Sequence, residues 1–178
     1  MKKHRSQQGV VLIMSLLMLV LVSLLATTTM KSALSSEAVS AGVRQNQLAH
    51  QAAEAALQFC EAAALAIAKG NSPGPAAQAY ANPPRWQDMA STWDTSNAAV
   101  YVLDLASVNF SGAPYKRPPE CLIEHLAADG SAQHNRQFVV TARGFGPEVA
   151  SVPNGSTDRR PAGSEVFLQS TIELQEQP

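Results

Sequence analysis

Gln7-Gln8-Gly9-Val10-Val11-Leu12-Ile13-Met14, and the run VVLIMSLLMLVLVSLLA that Val10 opens and Ala26 closes, decide how this 178-residue chain is built. Residues 6–30 carry no charge and are bounded by Arg5 and Lys31. A helix needs about 20 apolar residues, rising 1.5 Å each, to cross the hydrocarbon layer, so the run is long enough to span a membrane. Lys2, Lys3 and Arg5 precede it, and this basic cluster predicts a cytoplasmic N-terminus and an exported remainder. A cleaved secretory signal calls for an A-x-A arrangement just beyond the run. The sequence there, Ala26-Thr27-Thr28-Thr29-Met30-Lys31-Ser32-Ala33, is a poor match, which favours a segment that stays on the chain.

Beyond the apolar run the helical signal continues. There is no proline between Lys31 and Ala68, and Gly42 is the sole glycine. Alanine, the best helix former, makes up half of the stretch from Ala49 to Ala68. Leu34, Ala38, Ala41, Leu48, Ala52, Ala55, Phe59, Ala62 and Ala66 recur at three- and four-residue steps, opposite Glu37, Arg44, Gln51, Glu54, Gln58 and Glu61. Gly70-Asn71-Ser72-Pro73 supplies a stop. A helix from Val10 to Ala68 would be roughly 90 Å long. Its small-residue stripe suits a closely approaching sheet better than a coiled-coil seam, which prefers Leu, Ile or Val.

Four strands are expected after the helix: Ala99–Leu105, Glu120–Leu126, Arg136–Arg143 and Val166–Leu174, the last two with a clear two-residue period. They predict an antiparallel sheet with one wet face and a dry face laid over the alanine stripe. Segments 70–98, 129–135 and 144–164 read as loops, with Asp129-Gly130 as a hairpin turn signal. The fold class is therefore α+β. In it a long N-terminal helix, transmembrane and then amphipathic, packs on a small antiparallel β-sheet headpiece. Its divisions are a leader at 1–9, a membrane helix at 10–30, an amphipathic continuation at 31–69 and the sheet at 70–178.

Charge and motif content point away from chemistry. The net charge is −1, made of +3 before residue 6 and 10 − 14 = −4 after Met30, which does not suit a nucleic-acid binder. Two cysteines, Cys60 and Cys121, make neither a zinc ribbon nor a CxxC site. His4, His50, His125 and His134 have no ligand spacing. Gly70-Asn71-Ser72-Pro73-Gly74 matches the nucleophile-elbow string but follows a helix, where an elbow needs a strand. Trp86 and Trp93, seven residues apart, read as anchors of a minor core, with a subunit-contact patch as the alternative. No enzyme activity, metal or cofactor is expected.

Three blocks together resemble the type IV pilins, and most closely the PilX-type minor pilins. They are Gln8-Gly9-Val10-Val11-Leu12-Ile13 with its Leu/Met/Val repeats, Gln51-Ala52-Ala53-Glu54-Ala55-Ala56-Leu57, and the strand blocks Pro119–Glu124, Val140–Gly146 and Phe167–Thr171. The resemblance implies that prepilin peptidase cuts between Gly9 and Val10 and that the new Val10 amine is methylated. It implies a filament whose core is the apolar halves of neighbouring subunits. The implied partners are other minor and major pilins, the inner-membrane assembly platform and an adhesin at the tip. The implied location is the bacterial inner membrane, with a periplasmic C-terminal domain, and the pilus after assembly. The implied role is to prime or modify type IV pilus assembly. A type II secretion minor pseudopilin and a signal-anchored periplasmic adaptor without a filament are the alternatives.

Major pilins usually carry a glutamate at the fifth mature position, where this chain has Met14. A carboxylate in an apolar core is costly unless paired, and its usual partner is a neighbour's α-amine. Met14 suits a tip-proximal or initiating subunit, or else only weakens affinity in an ordinary scarce one. Cys60 on the helix and Cys121 on a strand can meet if the sheet covers the helix, and an oxidising periplasm permits the bridge. Two buried free thiols are the other reading.

Overall fold

The computed structural model describes residues 8–71, 74–105, 115–126, 137–153 and 156–174. The basic cluster Lys2, Lys3 and Arg5, the Ser72-Pro73 pair, Asp129-Gly130 and Arg136 lie outside the described residues. One helix, α1 (Gln8–Ala68), is followed by β1 (Ala77–Gln78), a 3₁₀ turn (Arg85–Gln87) and a π-helical turn (Met89–Trp93). Then come β2 (Tyr101–Val102), β3 (Glu120–His125), β4 (Gln137–Phe145) and β5 (Glu165–Glu173). The chain divides into two compact units, Met1–Gly42 and Val43–Pro178.

In the second unit α1 ends where Gly70 takes φ +82°, a left-handed conformation that glycine enters without penalty. The Asn71 N–H reaches back to the Ala66 carbonyl at 3.0 Å and the Gly70 N–H to Ile67 at 2.9 Å. These two bonds form the Schellman closure that satisfies the orphan carbonyls of the last turn.

The sheet runs β1-β3-β4-β5, with β2 also on β3. It is mixed, whereas an antiparallel one was expected. Ala77 and Gln78 pair parallel with Ile123 and Glu124, in a segment expected to be loop. Only Tyr101 and Val102 of the expected first strand are paired, antiparallel to Cys121 and Glu120. The three principal strands lie within two residues of the expected ones, the last two of which the two-residue period marks. β3 and β4 pair antiparallel from Glu120↔Arg143 to His125↔Phe138. β4 and β5 pair from Gln137↔Glu173 to Phe145↔Glu165. β4 runs two residues past the expected end, through Gly144 and Phe145.

Both faces of β3 and β4 are covered, which corrects the expectation of a wholly wet face; of the three long strands, only β5 keeps exposed residues on the side away from the helix. On one face Cys121, Ile123, Phe138, Val140 and Ala142 meet Ala56, Cys60, Ala63 and Ala64 of α1. On the other, Leu122 packs with Trp93 and Val100, flanked by Trp86, Ala99 and Phe167. The segment carrying the two tryptophans has no strand or helix period to announce it, yet it supplies the bulk that keeps β3 and β4 dry. Trp93 is 1% exposed, its ring edge-on to Phe167 at 5.2 Å, and its indole N–H donates to the Trp86 carbonyl at 3.2 Å. The tryptophans are core anchors.

The buried helix stripe is also offset from the expected one. Ala49, Ala52, Ala53, Ala56, Cys60, Ala63 and Ala64 are buried, while Phe59 is exposed and Ala62 faces solvent. That is a shift of one residue, about 100° of helix rotation. The closest approach explains the phase. A Cβ placed on Gly144 would stand 2.2 Å from the Ala49 carbonyl oxygen and 2.2 Å from the Ala53 nitrogen. Only glycine on the strand, facing alanines on the helix, lets the two backbones come this near.

Candidate functional site

In the first unit the described side chains from Val10 to Ala26 are all exposed, including Val10, Leu12, Met14, Leu19 and Leu25. A free surface of this kind, some seventeen residues without a charge, is far larger than a lone monomer leaves open to water. The helix is long and apolar enough to cross a membrane, and none of its most hydropathic window is buried within the chain. Four of its hydroxyl side chains bond to the helix itself. Ser15 Oγ donates to the Leu12 carbonyl, Ser23 Oγ to Val20 and Thr27 Oγ1 to Leu24, each at 2.9 Å. Thr29 Oγ1 likewise reaches Ala26 at 2.9 Å. A hydroxyl bonded to its own helix leaves nothing for lipid to desolvate. Gly9 and Val10 both lie within α1, so the expected processing junction falls in helix, and Met14 stands on the exposed surface.

The second unit is held to its helix segment by three kinds of link. Cys60 and Cys121 form a disulfide, with Cα atoms 6.5 Å apart, and both are fully buried. The Tyr115 hydroxyl donates to the Leu48 carbonyl at 2.9 Å, and burial raises its pKa. Gly144 seats against Ala49 and Ala53 as described above.

The second face carries a buried ionic cluster that no sequence period announced. Glu120, 1% exposed, accepts from Arg117 Nη2 at 3.2 Å and Arg159 Nη2 at 2.6 Å. Arg143, also 1% exposed, donates to Glu165 at 2.8 Å, to Asp94 at 3.0 Å and to the Trp93 carbonyl at 3.0 Å. Arg117 lies over the Phe145 ring at 3.9 Å, a cation–π contact. Burial lowers the Arg117 pKa, and the charge and hydrogen bond of Glu120 oppose that shift. Three guanidiniums meet three carboxylates, so the formal charge cancels. The cluster joins the Trp93 segment and the 159 loop to β3, β4 and β5, which gives it a structural part. Little in the sequence signalled it, since β3 (Glu120–His125) also carries Glu124 and His125 and β4 also carries Gln137 and Thr141.

The remaining candidate groups are dispersed. His50 lies 3.4 Å from Glu54 on the exposed helix surface. His125 packs on Phe138, with ring centroids 4.9 Å apart, and His4 and His134 lie outside the described residues. Among the described residues no group of His, Cys, Asp and Glu is placed to hold a metal ion. A cleft of about 320 Å³ is lined by Ala90, Asp94, Thr95, Thr157, Asp158 and Arg160. Most of its polar groups are engaged: Arg160 Nη2 donates to Asp158 at 2.7 Å, Thr95 Oγ1 to the Ser91 carbonyl at 2.7 Å, and Asp94 accepts from Arg143 at 3.0 Å. The Arg160 bonds hold the Asp158 pKa down to about 2.

Residues 8–58 match a protein-family model described as PilX N-terminal. No curated protein and no solved structure matches the chain. The matched segment holds the exposed apolar stretch and runs on into the alanines seated against the sheet. Over residues 8–58 the chain is similar to the N-terminal part of the PilX-type minor pilins of type IV pili.

Proposed function

We propose that this chain is a minor pilin that primes or modifies type IV pilus assembly from the inner membrane, with its sheet-bearing unit in the periplasm. The observation that carries the reading is the match over residues 8–58 to PilX N-terminal, on a helix whose charge-free stretch is wholly unburied. Prepilin peptidase removes residues 1–9 at the Gly9-Val10 bond, and the Val10 amine is methylated. Removing Lys2, Lys3 and Arg5 deletes the charges that fix the segment across the bilayer. What remains is an uncharged helix able to exchange lipid for an equally apolar bundle of other minor and major pilins. The inner-membrane assembly platform drives that exchange, and an adhesin follows at the tip.

Met14 supports a tip-proximal place. It cannot neutralise a neighbour's α-amine in the filament core, so addition of further copies along the shaft loses a charge pair. The test is a count of pili on cells lacking the chain, together with the share of the chain in sheared filaments. Loss of most pili, restored by the chain at trace abundance, is expected. Met14→Glu is expected to raise its share in the shaft. Undiminished piliation in its absence would overturn the priming role, and an unchanged share for Met14→Glu would overturn the tip-proximal place.

A further inference from the structure

β5 is a strand with an open edge. It pairs with β4 along all nine of its residues, and among the described residues no other backbone bonds to it. The opposite side of the sheet is closed differently: β1 and β2 lie end to end along β3. Sheet edges are normally blunted by proline, lysine, a bulge or shortness. β5 has none of these, and its centre, Val166-Phe167-Leu168-Gln169-Ser170-Thr171-Ile172, is uncharged and rich in strand formers.

Its two sides differ. Val166, Leu168 and Ile172 point to the helix side, where they are half-buried, so their flanks form an unfinished apolar row. Gln169, Thr171 and Glu173 point the other way and are exposed. The charges on the strand are Glu165 and Glu173, one at each end. Glu165 is engaged by Arg143, whereas Glu173 accepts only the Gln137 side-chain amide at 2.9 Å. A second copy aligned antiparallel about Gln169 would set Glu173 of each chain against Glu165 of the other, and like charges directly opposite are unfavourable.

We infer that the β5 edge is a docking site for an extended strand of a different chain, apolar on alternate residues and basic at its ends. That strand would extend the sheet by main-chain hydrogen bonds, finish the Val166-Leu168-Ile172 row and place a Lys or Arg beside Glu173. The inference uses only the sheet-bearing unit and does not depend on the filament reading.

The experiment is hydrogen exchange on the full chain in detergent micelles, with synthetic peptides as long as β5. The first probe alternates Val and Thr between terminal lysines, the second has glutamates at those ends, and the third carries a central proline. The lysine-ended peptide is expected to slow exchange in residues 165–173 roughly tenfold while leaving β1 and β2 unchanged. The glutamate-ended peptide should bind several-fold more weakly, and Glu173→Gln, an exposed change that leaves the fold intact, should narrow that gap. The proline peptide should have no effect. Absence of protection, equal protection by all three peptides, or protection that rises with protein concentration alone would overturn the proposal, the last by making a second copy the occupant.

Discussion

Gly144 and Glu120 are demanding positions for opposite reasons. At Gly144 the difficulty is space, because an added methyl would meet helix backbone at 2.2 Å and not a side chain that could swing away. Gly144→Ala is therefore expected to destabilise the sheet-bearing unit by about 3 kcal/mol or more, read as a lower denaturation midpoint. At Glu120 the difficulty is charge. Glu120→Gln leaves buried Arg117 and half-buried Arg159 without their carboxylate, and a loss of about 3 kcal/mol or more is expected by the same measurement. Exposed Asp158 behaves differently. Its pKa is depressed from 3.8 to about 2 by the Arg160 hydrogen bonds. The interaction is thus fully present above pH 3.8 and is lost as pH falls toward 2. Arg160→Gln should return the Asp158 titration, followed by carboxyl NMR, to the ordinary range with no measurable loss of fold stability. None of these three roles was visible in composition. Gly144 stood in the sequence as the first residue of a loop, and Glu120 as one more polar residue in a half-wet sheet.

Among the elements, the helix and the three principal strands were legible and the rotation of the helix was not. A charge-free window and a proline-free, alanine-rich stretch define α1, and a two-residue period defines β4 and β5. Half of residues 49–68 are alanine, so neighbouring faces differ too little in polarity to fix which one turns inward. Cys60 held the missing information. If it is to reach Cys121, the buried face must contain Ala49, Ala53, Ala56 and Ala63, as it does. The segment that covers the second face was illegible for another reason, since 3₁₀ and π turns anchored by Trp86 and Trp93 have no sustained period. The disulfide matters because the helix side of the core is made of methyl groups. Ala49, Ala52, Ala53, Ala56, Ala63 and Ala64 are buried, and at about 0.8 kcal/mol per methyl they contribute roughly 5 kcal/mol together. Closing a loop with a sequence separation of 61 adds about 4 kcal/mol. Cys60→Ala with Cys121→Ala, or reductant in denaturant, should lower stability by about that amount, seen as a midpoint shift with the slope retained.

For the whole molecule, the first unit offers an apolar surface with no partner of its own, and the second a covalently fastened α+β body. The family match covers the same residues, since 8–58 runs from the start of α1 into the alanines under the sheet. The central claim is that the apolar helix is trimmed of its basic leader and kept. Intact mass and N-terminal sequencing of the chain from its native envelope test this directly. A chain beginning at a methylated Val10 is expected. A chain still carrying Lys2, Lys3 and Arg5, in cells whose pili form normally without it, would contradict the account.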